Sequence, residues 1–115
     1  MFDFQKLEVY NKAKTFNKTV SILIQNNSFD RVTHDQLRRA SFSIMLNIAE
    51  GTARLSNRDR RNFFTISRGS VFECAAILEY LTDTGSLEKK EYNIYYQLLE
   101  EISKMLFALI KKLEK

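Results

Sequence analysis

The chain has 115 residues, 44% hydrophobic and 28% charged, with a net charge of +4. That fits one domain with a single core, and it excludes disordered, collagen-like and disulfide-stapled classes. No proline, three glycines and one cysteine leave few helix breakers and no internal disulfide, so long helices with short connections are expected, in a chain of cytosolic type.

The first helix is expected from about Phe4 to Gln25, with Val9, Tyr10, Ala13, Phe16, Val20 and Ile24 on its core face. Asn26-Asn27-Ser28 ends it, because these side chains compete for backbone hydrogen bonds. Phe29 is placed as a plug at one end of the core. Thr33, with Gln36 three residues on, reads as a capping box for a second helix reaching about Arg54. Leu37, Ala40, Ser41, Ile44, Ile48 and Gly51 form its core stripe, flanked by a polar row that includes Arg39, Ser43, Asn47 and Glu50.

Ser56 is expected to cap the third helix, whose inner face is read as Phe63, Ile66, Ser70, Glu73, Cys74, Ile77, Tyr80 and Leu81. Gly85 closes it. The fourth helix starts near Leu87, with Tyr92, Tyr95, Leu99, Ile102, Leu106, Ile110 and Leu113 as its stripe. Together these predict an all-α, antiparallel up-down-up-down four-helix bundle. Phe42, Met45, Leu46, Phe64, Val71 and Phe72 are left on second apolar faces of the middle helices. A patch of that size on a soluble monomer points to self-association.

The sequence offers no catalytic set. His34 is the single histidine and Cys74 the single cysteine, too few for a zinc site or a nucleophile–base pair, and Glu-x-x-His motifs are missing. No metal or cofactor is expected. No apolar run approaches the ~20 residues of a membrane span, and the first residues lack the basic-then-apolar pattern of a secretion signal. Glu73 beside Ser70, facing Asn47, Arg38 or Arg39, reads either as an acid/base carboxylate together with Glu50 or as a polar clamp between helices or subunits. Without a nucleophile or a phosphate-binding loop the clamp is preferred.

Charge is segregated. All eight arginines lie between Arg31 and Arg68 and all ten lysines outside that window, which holds only three acids for a net of +5. Arginine suits bidentate phosphate contacts and stacking. Arg54, Arg58, Arg60, Arg61 and Arg68, around the turn between the second and third helices, are therefore the candidate nucleic-acid contacts. No base-reading motif is visible.

Residues 36–51, QLRRASFSIMLNIAEG, followed by Arg54, Ser56, Phe63, Ser70 and Glu73, resemble the four-helix-bundle family encoded in intervening sequences of bacterial 23S rRNA genes, also labelled ribosomal protein S23. Phe4, Leu7, Tyr10 and Ala13, and Gly85-Ser86-Leu87, extend the likeness over nearly the whole chain. One departure is Phe29-Asp30, where the family commonly has Phe-Pro. The resemblance implies a ring-like homopentamer. It also implies kinship with the accessory variability protein of diversity-generating retroelements, a basic pentamer that partners a reverse transcriptase and binds nucleic acid. It favours a bacterial RNA- or DNA-binding scaffold, or a protein-interaction adaptor, over an enzyme.

Overall fold

A computed structural model describes residues 1–114. A 3-10 turn over Asp3–Lys6 leads into four helices: α1 (Glu8–Gln25), α2 (Arg31–Ala53), α3 (Asn57–Asp83) and α4 (Lys89–Leu113). Among the described residues there is no strand. Each helix packs on its sequence neighbours and α1 also packs on α4, closing one elongated bundle of 44 × 24 × 22 Å.

The ends of the helices are set by local chemistry. The expected single helix from Phe4 is instead broken at Leu7, whose extended backbone separates the 3-10 turn from α1. The cap of α2 is Asp30 rather than Thr33. The Asp30 carboxylate accepts the Thr33 backbone N–H at 2.9 Å and the Thr33 hydroxyl at 2.9 Å, so Thr33 sits inside the first turn. An ionised acceptor at a helix N-terminus outcompetes a hydroxyl for the unpaired amides. Those bonds hold the Asp30 carboxyl below 3.8. A carboxyl held low when folded stabilises the fold above its ordinary range and loses that contribution as pH falls through the folded value. Asp30→Ala is therefore expected to melt below the parent at neutral pH, with the two thermal melts converging as pH falls through the lowered Asp30 value.

Ser56 caps α3 as expected, accepting the Asp59 N–H at 3.1 Å. At the other end Gly85, at φ +82°, lets the Ser86 and Gly85 amides turn back onto the Leu81 and Thr82 carbonyls at 2.8 and 3.1 Å. A left-handed residue is needed there, and glycine carries no Cβ penalty.

The core is continuous. Ala13, Phe16, Leu37, Ile44, Ile48, Cys74, Leu78, Ile102 and Leu106 are fully enclosed, with Phe29 and Leu113 packed at its margins. The faces expected for α1 and α4 are the observed ones, with Leu23 added on α1 and Tyr92, Ile110 and Leu113 half-buried on α4. Burial pushes the Tyr95 phenol up to about 12, and it donates to Glu91 at 3.2 Å. Burial likewise pushes the Cys74 thiol up to about 12, which keeps it a neutral core residue.

Helix α3 is turned from its expected phase by less than one residue step, roughly 75° at ~100° per residue, so that Ser70, Cys74 and Leu81 stay on the inner face. Phe64, Ser67, Ser70, Val71, Cys74, Leu78 and Leu81 face inward, whereas Ile66, Glu73 and Tyr80 are exposed and Phe63 and Ile77 half-buried. Two contacts fix the rotation. Phe64 lies under Gly51 of α2, and the buried Ser67 hydroxyl donates to the Ile44 carbonyl at 2.8 Å. Phe64 and Val71 are thus core residues and leave the expected self-association surface. Met45 is half-buried, and Phe42, Leu46 and Phe72 stay exposed.

Candidate nucleic-acid interface

The α2–α3 corner brings the arginines together in a fixed order. Arg54 is the C-terminal cap of α2, ion-paired to Glu50 one turn back and stacked on the Phe63 ring at 4.6 Å. Arg60 donates its Nε to the Arg54 carbonyl at 2.8 Å, satisfying a carbonyl that the end of α2 leaves open. These two expected contacts therefore have local structural work. Arg58 is exposed on the first turn of α3. Arg61 is half-buried, and its Nε has no hydrogen-bond partner among the described residues.

Arg68 lies two turns further on. Its guanidinium sits between the rings of Phe72, at 4.9 Å, and Phe107, at 5.4 Å. Its Nε is also turned inward without a partner. Among the described residues Arg58, Arg61 and Arg68 make no ion pair. Three guanidiniums are thus without an acidic partner among the described residues, and one of them already lies over two aromatic rings, a cation–π contact that leaves its N–H groups able to bond an anion.

The expected polar clamp exists without its carboxylate. Ser43 and Ser70 hydroxyls meet at 2.8 Å across the α2–α3 seam, and the Asn47 amide donates to the Ser43 hydroxyl and carbonyl, each at 2.9 Å. Glu73 is exposed beyond it, because the observed rotation of α3 carries that position out of the seam. Glu50 is paired with Arg54 rather than with the clamp. Small side chains let the two helices approach closely here, and each buried hydroxyl has a partner. Arg38 and Arg39 lie outside the seam, exposed around a shallow hollow of about 420 Å³ that also holds Asn17, Asp35 and Phe42. Among the described residues they form no ion pair, so neither clamps α2 to α3.

Tyr96 and Phe107 of α4, which lie outside the residues singled out by sequence pattern, are both exposed beside Phe72 and Arg68. Their place on the polar flank of an amphipathic helix was visible in the sequence, but their proximity to Arg68 depends on how α3 and α4 pack. Among the described residues no three His, Cys, Asp or Glu side chains gather as metal ligands, and no helix is long and apolar enough to cross a membrane.

An all-α bundle of four long helices with an arginine-rich corner defines the class. The chain belongs to the 23S rRNA-intervening sequence protein family, whose model matches residues 5–108. It is also similar to the crystal structure of a protein of unknown function from the S23 ribosomal protein family of Bacteroides thetaiotaomicron VPI-5482, with a TM-score of 0.85 and 27% identity. That match covers 90% of this chain and 98% of the other. No curated protein matched.

Proposed function

We propose that this protein is a non-enzymatic scaffold that binds RNA through arginines of the α2–α3 region. In this reading the helices alternate up and down, antiparallel, and the chains assemble into a ring-like homopentamer in the bacterial cytoplasm. The observation that carries the proposal is the set Arg58, Arg61 and Arg68, three cations that have no acidic partner among the described residues, in a window that holds every arginine of the chain. The short links between helices support the alternating order. Exposed Phe42 and Leu46 on α2, with Ile66 and Tyr80 on α3, supply apolar surface for subunit contacts. A ring would multiply the weak single-site affinity of each corner.

Light scattering coupled to size exclusion, run with and without mixed RNA, tests both halves. The expected result is an oligomer that gains RNA at low salt and releases it at high salt. The triple variant Arg58→Gln, Arg61→Gln, Arg68→Gln should bind more weakly. Its log–log salt slope should be shallower by about 2, because each single-strand phosphate left unneutralised takes away ~0.7. Unchanged affinity and slope would remove the arginines from the proposal. A monomer would remove the ring.

A second reading is a protein-interaction adaptor that docks a partner such as a reverse transcriptase on the ring surface, through apolar side chains that subunit contacts leave uncovered. The exposure of Phe42, Leu46, Ile66 and Tyr80 favours it. It predicts an oligomer indifferent to RNA.

A further inference from the structure

The α3–α4 groove is a different kind of surface from the corner. Two hollows, of about 390 and 460 Å³, run end to end along it and share Arg68 and Phe72 as their common wall. Phe72, Tyr96 and Phe107 are 57%, 45% and 50% exposed there. Tyr96 and Phe107 are three turns apart on nearly the same line of α4, about 16 Å at ~1.5 Å per residue, so the rings mark out a track. Arg68 stands in the middle of it, one guanidinium between two phenyl rings with an inward Nε that has no acceptor. Lys104 and Glu100 border one hollow, and Lys111 and Glu114 the other, these last two paired at 3.1 Å, so Arg68 is a cation these acids leave unpaired.

The occupant must bring flat apolar faces for Tyr96 and for the sides of Phe72 and Phe107 that Arg68 and Lys111 leave open, and negative charge for the guanidinium between those two rings. An apolar partner helix would bury Arg68 uncompensated, a strongly unfavourable arrangement. Duplex RNA keeps its base faces stacked on one another, out of reach of rings on a protein surface. A single strand offers both parts, because every base has a stacking face and every link a phosphate.

We infer that the α3–α4 groove binds single-stranded RNA, with bases stacked on Phe72, Tyr96 and Phe107 and a phosphate bonded to Arg68. This rests on the RNA-scaffold reading above and adds the form of the ligand and its seat.

The test uses the whole chain, a fluorescein-labelled oligouridylate of about ten residues and an RNA hairpin duplex, read by anisotropy at low salt. The variant Tyr96→Ser/Phe107→Ser changes two exposed rings and is checked for folding by circular dichroism. It should weaken oligouridylate binding by roughly 10- to 100-fold while leaving the duplex within about twofold. Ultraviolet crosslinking of a bromouridine-substituted strand to the parent protein should label Phe72, Tyr96 or Phe107. A ring variant that binds the single strand as the parent does, while Arg58→Gln/Arg61→Gln loses it, overturns the groove and leaves the scaffold reading standing. Parent protein that binds neither RNA removes both. If the ring variant becomes a monomer, the crosslinks decide: labels confined to other faces make the groove a subunit contact and overturn the inference.

Discussion

Phe16→Ala is expected to lower the unfolding free energy by about 3–5 kcal/mol, the range for deleting a fully enclosed aromatic ring. Phe16 is 0% exposed at the middle of α1 and meets Tyr95 of α4 edge-on, with centroids 6.4 Å apart and planes at 88°. Its loss removes transfer energy and leaves a cavity between two helices that have few other ties. One of those ties is the exposed Lys12–Glu101 ion pair at 3.4 Å, and exposed pairs contribute ~1 kcal/mol at most. Domains of this size are stable by about 5–15 kcal/mol, so the variant should melt roughly 10–20 °C below the parent. Urea unfolding followed by far-ultraviolet circular dichroism measures it. A loss under about 1.5 kcal/mol, well short of the cavity range, would mean that α1 does not share the cooperative core, or that α1 and α4 close over the gap.

The same edge-on pair explains part of the stability beyond area alone. Aromatic pairs in this geometry add about 0.5–1.5 kcal/mol over burial. A double-mutant cycle with Tyr95→Leu isolates that component from the cavity, because the two side chains touch and their changes will not add.

What the sequence made legible follows from how clean each pattern is. Along α1 and α4 the apolar residues recur at helical spacing with charged residues between them, so the buried faces could be read directly. Along α3 the apolar residues come in adjacent pairs, Phe63-Phe64, Val71-Phe72 and Ile77-Leu78. Either member of each pair can point inward, and the period alone does not choose. The choice is made by α2, through the space over Gly51 and the carbonyl of Ile44. Ser67 was the missed marker: a small hydroxyl in line with Cys74 and Phe64 fits a close helix seam. At the start of α2 both Asp30 and Thr33 were chemically able to cap, and the ionised group took the amide.

The candidate surface divides in the same way. The arginine window is contiguous in sequence and stood out at once. Which arginines are engaged was not legible, since the Arg54 pairing and the Arg60 bond to a helix-end carbonyl depend on the turn geometry. The aromatic track was invisible because two of its three rings, Tyr96 and Phe107, lie on α4, remote in sequence from Arg68.

Gly51 is where fold and corner meet, and its substitution should have the second large effect. A Cβ built there would stand 2.6 Å from Cε1 and 2.9 Å from Cδ1 of Phe64, a ring that is itself 4% exposed and enclosed. Alanine at a helical glycine ordinarily gains up to about 1 kcal/mol, while overpacking a core costs about 1–3 kcal/mol. Gly51→Ala is therefore expected to destabilise by about 1 kcal/mol and Gly51→Val, with two further carbons, by about 3 kcal/mol. Gly69→Ala on α3, where a Cβ would meet nothing within 4 Å, should stabilise by about 0.5–1 kcal/mol. The opposite signs of the two alanine variants separate close packing from helix propensity. Phe64→Leu should relieve part of the clash, so that Gly51→Ala/Phe64→Leu loses at least ~1 kcal/mol less than the two single changes together. Strict additivity would mean that the ring moves aside freely and that the seam is looser than its contacts imply. Because the Arg54 amide bonds back to the Gly51 carbonyl at 3.3 Å, a seam forced open at Gly51 also displaces the cap that carries Arg54 and receives Arg60.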